Sequence, residues 1–290
     1  NGGPPEVFPG ESSEVVVGET MKFIDRARKQ GKPFFGVVWF GSPHEPFSGR
    51  EKDLERYDDL PGKYPTPKVT LTSNETGRPT ERPLGDVLRE RYAEITAMDR
   101  AIGTLRDYLQ AEGLREDTLL FYCGDNGTPP CAVLASPHRG MKGDVYEGGT
   151  LVPGIIEWPA RISKPLTSKV NATTSDLLPT LCALTGQPLP DRPLDGRDLS
   201  GVLDGSMTER SEPIFFWSYP SEGLGSLGLE PGIAPDLQEG TTPLVKFLGG
   251  LRTRNFNNYH HPPVSKADYL GPRAAVGDRY KLVVHEQENG

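Results

Sequence analysis

TLLFYCGDNG, residues 118–127, is the stretch that decides the fold. Its first six residues form a short apolar run with two aromatics, the pattern of a strand buried in a sheet. The run ends in Gly124-Asp125-Asn126-Gly127, followed by Pro129 and Pro130. Asn and Gly tolerate a positive φ, and an Asp side chain bonds the backbone two residues on, so this tetrapeptide favours a tight turn. It also sets two oxygen-bearing side chains at a strand's carboxyl end, where open α/β sheets bind ligands.

Working outward, residues 86–112 repeat apolar side chains at helical spacing: Leu88, Tyr92, Ile95, Met98, Ile102, Leu105 and Leu109. Gly113 is the expected stop. Upstream, KPFFGVVWF (32–40) is a continuous apolar, aromatic and β-branched run. It reads as a strand buried on both faces, as in a parallel sheet. A helix over 19–30 precedes it, with Met21, Ile24 and Ala27 in register and Gly31 as its stop. The strand runs into GSPHEPFSG, a Pro/Gly loop that carries His44 and Glu45. Residues 48–85 are polar and rich in proline, and read as a long surface excursion.

Downstream, HRGMKGDVYEGG (138–149) is a Gly-rich loop holding Arg139, Lys142 and Glu147, with a strand expected near VPGIIEW. A helix is expected over 174–186, capped by Ser175 or Asp176 and ended by Gly186. From about residue 206 the character changes. EPIFFWSY (212–219) and AAVGDRYKLVVHE (274–286) read as paired strands around a long Gly/Pro loop. The expected architecture is α/β, a mostly parallel central sheet flanked by helices over 1–205, with a small antiparallel-sheet domain over 206–290.

Composition narrows the classes. The chain has 290 residues, 35% hydrophobic and 25% charged, which suits a globular protein with many loops. The charge is 32 − 40 = −8, and no Lys/Arg block stands out, which argues against a general nucleic-acid binder. No segment approaches 18 consecutive apolar residues, so no membrane span is expected. Cys123, Cys131 and Cys182 are too few for a disulfide scaffold and lack zinc-type spacing. Cys123 and Cys182 fall in apolar segments and read as buried thiols, and a Cys123–Cys131 bridge is open. The chain does not begin with Met, and both ends read as cut from a longer protein.

Three ordered segments carry a resemblance: KPFFGVVWFGSPHEP (32–46), LLFYCGDNG (119–127) and RGMKGDVYEGGTLVPGIIEWP (139–159). Together with TTSDLLPTLCALTGQPLP, PLDGRDLSGVL and the terminal GDRYKLV, they resemble the sulfatase family of the alkaline phosphatase superfamily. The resemblance implies sulfate-ester hydrolysis assisted by a divalent cation, usually Ca²⁺ with Mg²⁺ as an alternative. Asp125 and Asn126 match the family's Asp-Asn metal ligands, and hard cations take such oxygens. His44 matches a histidine that touches the sulfate or protonates the leaving group, and Lys142 matches a sulfate-binding lysine. Arg139 and Glu147 are expected to order the Lys142 loop through ion pairs and hydrogen bonds. The family's nucleophile is a formylglycine made from Cys or Ser in a C-x-P-S-R type motif. No cysteine here is followed by that motif, so the nucleophile is expected in a missing N-terminal part, and this chain alone is expected to be inactive.

The expected substrate is a sulfated small molecule or glycan; the sequence does not specify which, nor the oligomeric state. Two other readings stay open: a phosphate or phosphonate ester hydrolase of the same superfamily, and a non-catalytic module that binds sulfated glycans. The family habit implies export. Asn74, Asn126 and Asn171 start sequons, and a sugar on Asn126 would block the expected metal site. His260-His261 reads as an exposed pair.

Overall fold

Glu11 opens the first helix. In the computed structural model its carboxylate accepts the N–H groups of Ser13 (2.9 Å) and Glu14 (3.2 Å), so α1 runs Ser12–Lys29 and starts seven residues before the apolar spacing alone indicates. The structure describes residues 7–73, 75–191, 193–217, 247–248, 251–252 and 272–284. His260, His261, Asn74, the ends of both C-terminal strand expectations and most of the loop between those strands lie outside them.

The described residues group into two compact units, drawn from Asn1–Pro137 with Val152–Pro165 and from His138–Leu151 with Leu166–Gly290. The first is built on α1 and α4 (Leu84–Ala111), with α2 (Glu51–Leu54) and α3 (Leu60–Lys63) as short turns beside α4. Val17 and Ile24 of α1 pack on Ala101, Leu105 and Leu109 of α4, all at i, i+4 or i, i+7 spacing, which gives each helix one apolar stripe. Burying a leucine in such a seam stabilises by about 1.5–3 kcal/mol. Tyr108 donates its hydroxyl proton to Asp25 (2.6 Å) across the same seam. Gly113 ends α4 at φ +68°, a left-handed conformation that glycine adopts without a Cβ penalty.

Arg100 ties α2 to α4. Its guanidinium donates to both oxygens of Asp53 (2.7 and 2.9 Å), a carboxylate only 3% exposed, and also pairs with Glu14. The Arg100 hydrogen bond holds the Asp53 carboxyl below its ordinary range. A carboxyl whose folded-state pKa is depressed adds stability above its unfolded value of about 3.9, and that stability is lost as pH falls through the folded value. Urea titrations from pH 6 down to pH 3 are therefore expected to show a falling midpoint in the wild type. Arg100→Met should lower the midpoint at pH 6 and flatten this fall.

Strands are short. β1 (Lys68–Thr72) and β2 (Pro79–Pro83) form an antiparallel hairpin inside the stretch read as a polar excursion. Leu71 is its buried residue, and both β2 prolines sit at strand ends, where a missing donor is tolerated. β3 (Leu120–Cys123) pairs antiparallel with β4 (Gly154–Glu157), Phe121 opposite Ile156 and Cys123 opposite Gly154. Both strands fall where the apolar runs place them, although the β3 side chains are half-buried and Ile155 is exposed.

The segment 32–40 departs from expectation. It is extended but forms no ladder among the described residues, because no strand lies beside it to take its backbone groups. Phe34 and Phe40 pack on the α1–α4 seam, while Phe35, Val37 and Trp39 are 73%, 62% and 84% exposed. One face is covered and the other open, so the run has the period-two burial of a one-sided strand. All ladders among the described residues are antiparallel. The parallel pairing expected for 32–40 and 118–123 is not among them.

In the second unit, α5 (Glu147–Thr150) closes the Gly-rich loop. Thr173 and Asp176 form a capping box ahead of α6 (Leu177–Thr185), which ends at Gly186 in the left-handed region; α7 (Ser200–Leu203) follows. Asp176, one of the two caps expected, is the N-cap residue of α6, while the capping box of Thr173 with Asp176 starts the single turn just before it. β5 (Ile214–Trp217) pairs antiparallel with β8 (Arg273–Val276), and β8 with β9 (Lys281–Val284). A two-residue ladder joins β6 (Phe247–Leu248) to β7 (Leu251–Arg252). All three cysteines are free; Cys131 is buried, while Cys123 and Cys182 are half-buried and not the fully buried thiols expected.

Candidate functional site

Asp125 and Asn126 stand just past β3, in a loop held by the Gly124 N–H donating to the Pro153 carbonyl (3.3 Å). Asp125 is exposed, and its carboxylate forms no hydrogen bond or ion pair among the described residues. Asn126 is half-buried, and its side-chain N–H donates to the Gly127 carbonyl (2.9 Å), so Oδ1 is the side-chain atom with ligand chemistry. Five residues on, Cys131 is 5% exposed, and burial pushes its thiol pKa up, which makes it a packing residue rather than a nucleophile.

His44 lies on the surface between Pro43 and Pro46, with Nδ1 2.6 Å from the Glu45 carbonyl oxygen. The residues around it are firmly fixed. Phe47 is fully buried, the Ser48 N–H donates to the buried Glu94 carboxylate (2.7 Å), and the Thr72 N–H donates to Glu45 (3.3 Å). Burial pushes the Glu94 carboxyl up. Phe47 and Cys131 meet in one cluster with Leu71 and Val87. The loop of His44 and the loop of Asp125-Asn126 are thus anchored in the same small core.

Lys142 belongs to the second unit. It is exposed at the tip of a loop closed by the Gly148 N–H donating to the Arg139 carbonyl (2.7 Å). Met141 donates its N–H to Asp144 Oδ2 (2.9 Å), and the Arg139 guanidinium lies over the Tyr146 ring, 3.9 Å from its centroid. A Cβ on Gly148 would collide with the Arg139 and Gly140 carbonyl oxygens. Lys281 of β9 reaches Glu147 Oε1 (3.2 Å) and Thr150 Oγ1 (3.3 Å). Glu147 responds: burial raises its pKa, but a backbone hydrogen bond and the Lys281 ammonium outweigh it and lower the carboxyl. Sequence reading gave Arg139 and Glu147 this ordering role but missed Lys281, which carries no local signal beyond its strand.

The donor set fits a hard cation in kind and falls short in number. Asp125 and Asn126 offer three side-chain oxygens at most, whereas calcium takes six to eight. No group of three or more His, Cys, Asp or Glu suited to a metal occurs among the described residues. The cysteines do not fit a formylglycine precursor, because Gly124, Ala132 and Ala183 follow them without the x-Pro-x-Arg continuation.

The chain belongs to the sulfatase family, whose match runs over residues 2–187. It is 33% identical over 211 residues to human arylsulfatase A, an alignment that takes in 71% of this chain and 36% of that protein. The chain thus spans well under half the length of that relative. Its fold is shared with PsFucS1 sulfatase from a Pseudoalteromonas species, at 28% identity and a TM-score of 0.52, over 75% of this chain and 41% of that one. It is also shared with the phosphonate monoester hydrolase of Agrobacterium radiobacter, at 18% identity and a TM-score of 0.56, over 98% and 56%. These likenesses show the α/β architecture of the alkaline phosphatase superfamily with a small C-terminal antiparallel sheet.

Proposed function

We propose that the native protein carrying this chain is a sulfate-ester hydrolase and that these residues form part of its active site. The observation that carries this reading is the Asp125-Asn126 pair at the end of β3, anchored in the same core as the His44 loop. Residues 1–205 would then be the later part of the catalytic domain, and 206–290 a small domain beside it.

Asp125 and Asn126 would hold a divalent cation, calcium or magnesium, which when bound supplies positive charge to offset that of a sulfate ester. Lys142 presents a compact ammonium that binds an outer sulfate oxygen and stabilises the charge that builds there. His44 has a ring nitrogen that can carry a proton and delivers it to the ester oxygen as the alcohol leaves. The ester S–O bond breaks as the family's nucleophile, outside this chain, would bond sulfur, and one water is consumed overall to give the alcohol and inorganic sulfate. The family's nucleophile would lie outside this chain, so the isolated 290-residue polypeptide is expected not to turn over. Sulfated small molecules or glycans are the proposed substrates, and export the proposed location. No helix among the described residues is long and apolar enough to cross a membrane.

The native protein is expected to hydrolyse 4-nitrophenyl sulfate in preference to 4-nitrophenyl phosphate. Lys142→Ala should lower kcat/KM for the sulfate about 100-fold, the scale of losing one oxyanion partner. A second reading, phosphate or phosphonate ester hydrolysis, draws on the likeness to the Agrobacterium hydrolase, and a phosphate preference would favour it. Binding of sulfated glycans with no turnover of either ester would favour the non-catalytic module.

A further inference from the structure

Lys281 sits in GDRYKLV, a motif with no part in the chemistry proposed above, yet its ammonium is 14% exposed and turned to the base of the Lys142 loop. We propose that Lys281 is a positioning residue: it pins the loop that presents Lys142 and keeps Glu147 from capturing the Lys142 ammonium. The proposal rests on reading Lys142 as the sulfate-binding group.

Two acceptors fix the Lys281 ammonium, the Glu147 carboxylate at 3.2 Å and the Thr150 hydroxyl at 3.3 Å, which stand at the two ends of α5. The pin is mounted on a strand, because β9 pairs with β8 along all four of its residues. The loop is closed within itself by Gly148 to Arg139 and by Asp144, whose N–H donates to the Met141 carbonyl (2.8 Å) while its carboxylate accepts the Met141 N–H. Those bonds lie within the loop, whereas the Lys281 contacts tie it to β9. Lys281 is the shielded member of the pair, Glu147 being 48% exposed, and the second hydrogen bond to Thr150 fixes the ammonium better than a lone surface pair would.

Charge gives the second half of the argument. Glu147 is five residues from Lys142 on the same loop. Without Lys281 that carboxylate, 48% exposed, would be open to other cations, and Lys142 is one within the same short segment. A lysine paired in that way would no longer offer its charge to an anion. Displacements of about 1 Å in such a group cost on the order of 100-fold in rate.

The test is amide hydrogen exchange by NMR on the full 290-residue chain, together with titration of inorganic sulfate. Lys281→Met is expected to speed exchange at Gly148 and Asp144 about five- to tenfold and to weaken sulfate binding severalfold, with β8 amides unchanged. Lys281→Arg should restore both. Glu147→Gln removes the pair from the loop side, leaves the sheet untouched, and should reproduce the exchange effect even if Lys281→Met disturbs β9. If both variants leave exchange and sulfate affinity within twofold while Lys142→Ala abolishes sulfate binding, Lys281 is not the pin and the Lys142 reading stands. If Lys142→Ala binds sulfate as the wild type does, the Lys142 reading fails and takes this inference with it.

Discussion

Arg210→Met is expected to destabilise the second unit by about 3–5 kcal/mol, the cost of stranding a buried charge. The Arg210 side chain is 5% exposed and donates through both terminal nitrogens to the Asp176 carboxylate (2.8 and 2.9 Å). The same carboxylate accepts the N–H groups of Thr173 (2.8 Å) and Arg197 (2.7 Å). One side chain thus caps the turn before α6, holds the approach to α7 and neutralises Arg210. Methionine fills the volume but leaves Asp176 charged and half-satisfied in a dry site. Urea unfolding should show a lower midpoint with an unchanged slope. Replacing both partners with apolar residues should recover part of the loss, because the pair's own desolvation cost disappears with it. A loss below about 1 kcal/mol would mean that water reaches the pair and screens it.

The second large effect concerns function. Asp125→Ala in the native protein is expected to lower sulfate-ester turnover at least about 100-fold, since even groups that merely support a metal ligand cost about 10–100-fold. Asp125 forms no hydrogen bond or ion pair among the described residues, so its loss should leave folding stability nearly unchanged. That contrast separates a ligand from a structural turn residue. Asp125→Ala should also raise the calcium concentration needed for half-maximal rate, whereas Arg210→Met should not.

Much of this was legible in the chain. The Leu88-to-Leu109 periodicity gave α4, Gly113 and Gly186 marked helix ends, and the run before Asp125 marked β3, because each signal is local. Four features were hidden for physical reasons. Residues 33–40 are apolar throughout, so the composition could not reveal that Phe35, Val37 and Trp39 face outward while Phe34 and Phe40 face the helices. The β1–β2 hairpin is masked by prolines at both ends of β2. Glu11 is not a customary helix cap, so α1 was read seven residues short. The Glu147–Lys281 and Asp176–Arg210 pairs join residues far apart in sequence, and no local pattern predicts a partner at such range.

In the candidate site, His44, Asp125, Asn126 and Lys142 are singled out by their resemblance to the family's residues, with the end of β3 as a local signal for Asp125 and Asn126 alone. What the sequence withheld was the support: Phe47 and Cys131 in one core under two loops, and Lys281 beneath the third.

The most direct measurement is calcium-dependent hydrolysis of 4-nitrophenyl sulfate by the native protein, wild type against Asp125→Ala. The account predicts that chelation abolishes the wild-type rate, that calcium restores it, and that the variant stays at least about 100-fold slower at saturating calcium. A variant that matches the wild type at every calcium concentration would contradict it, and would leave Asp125-Asn126 as no more than the turn at the end of β3.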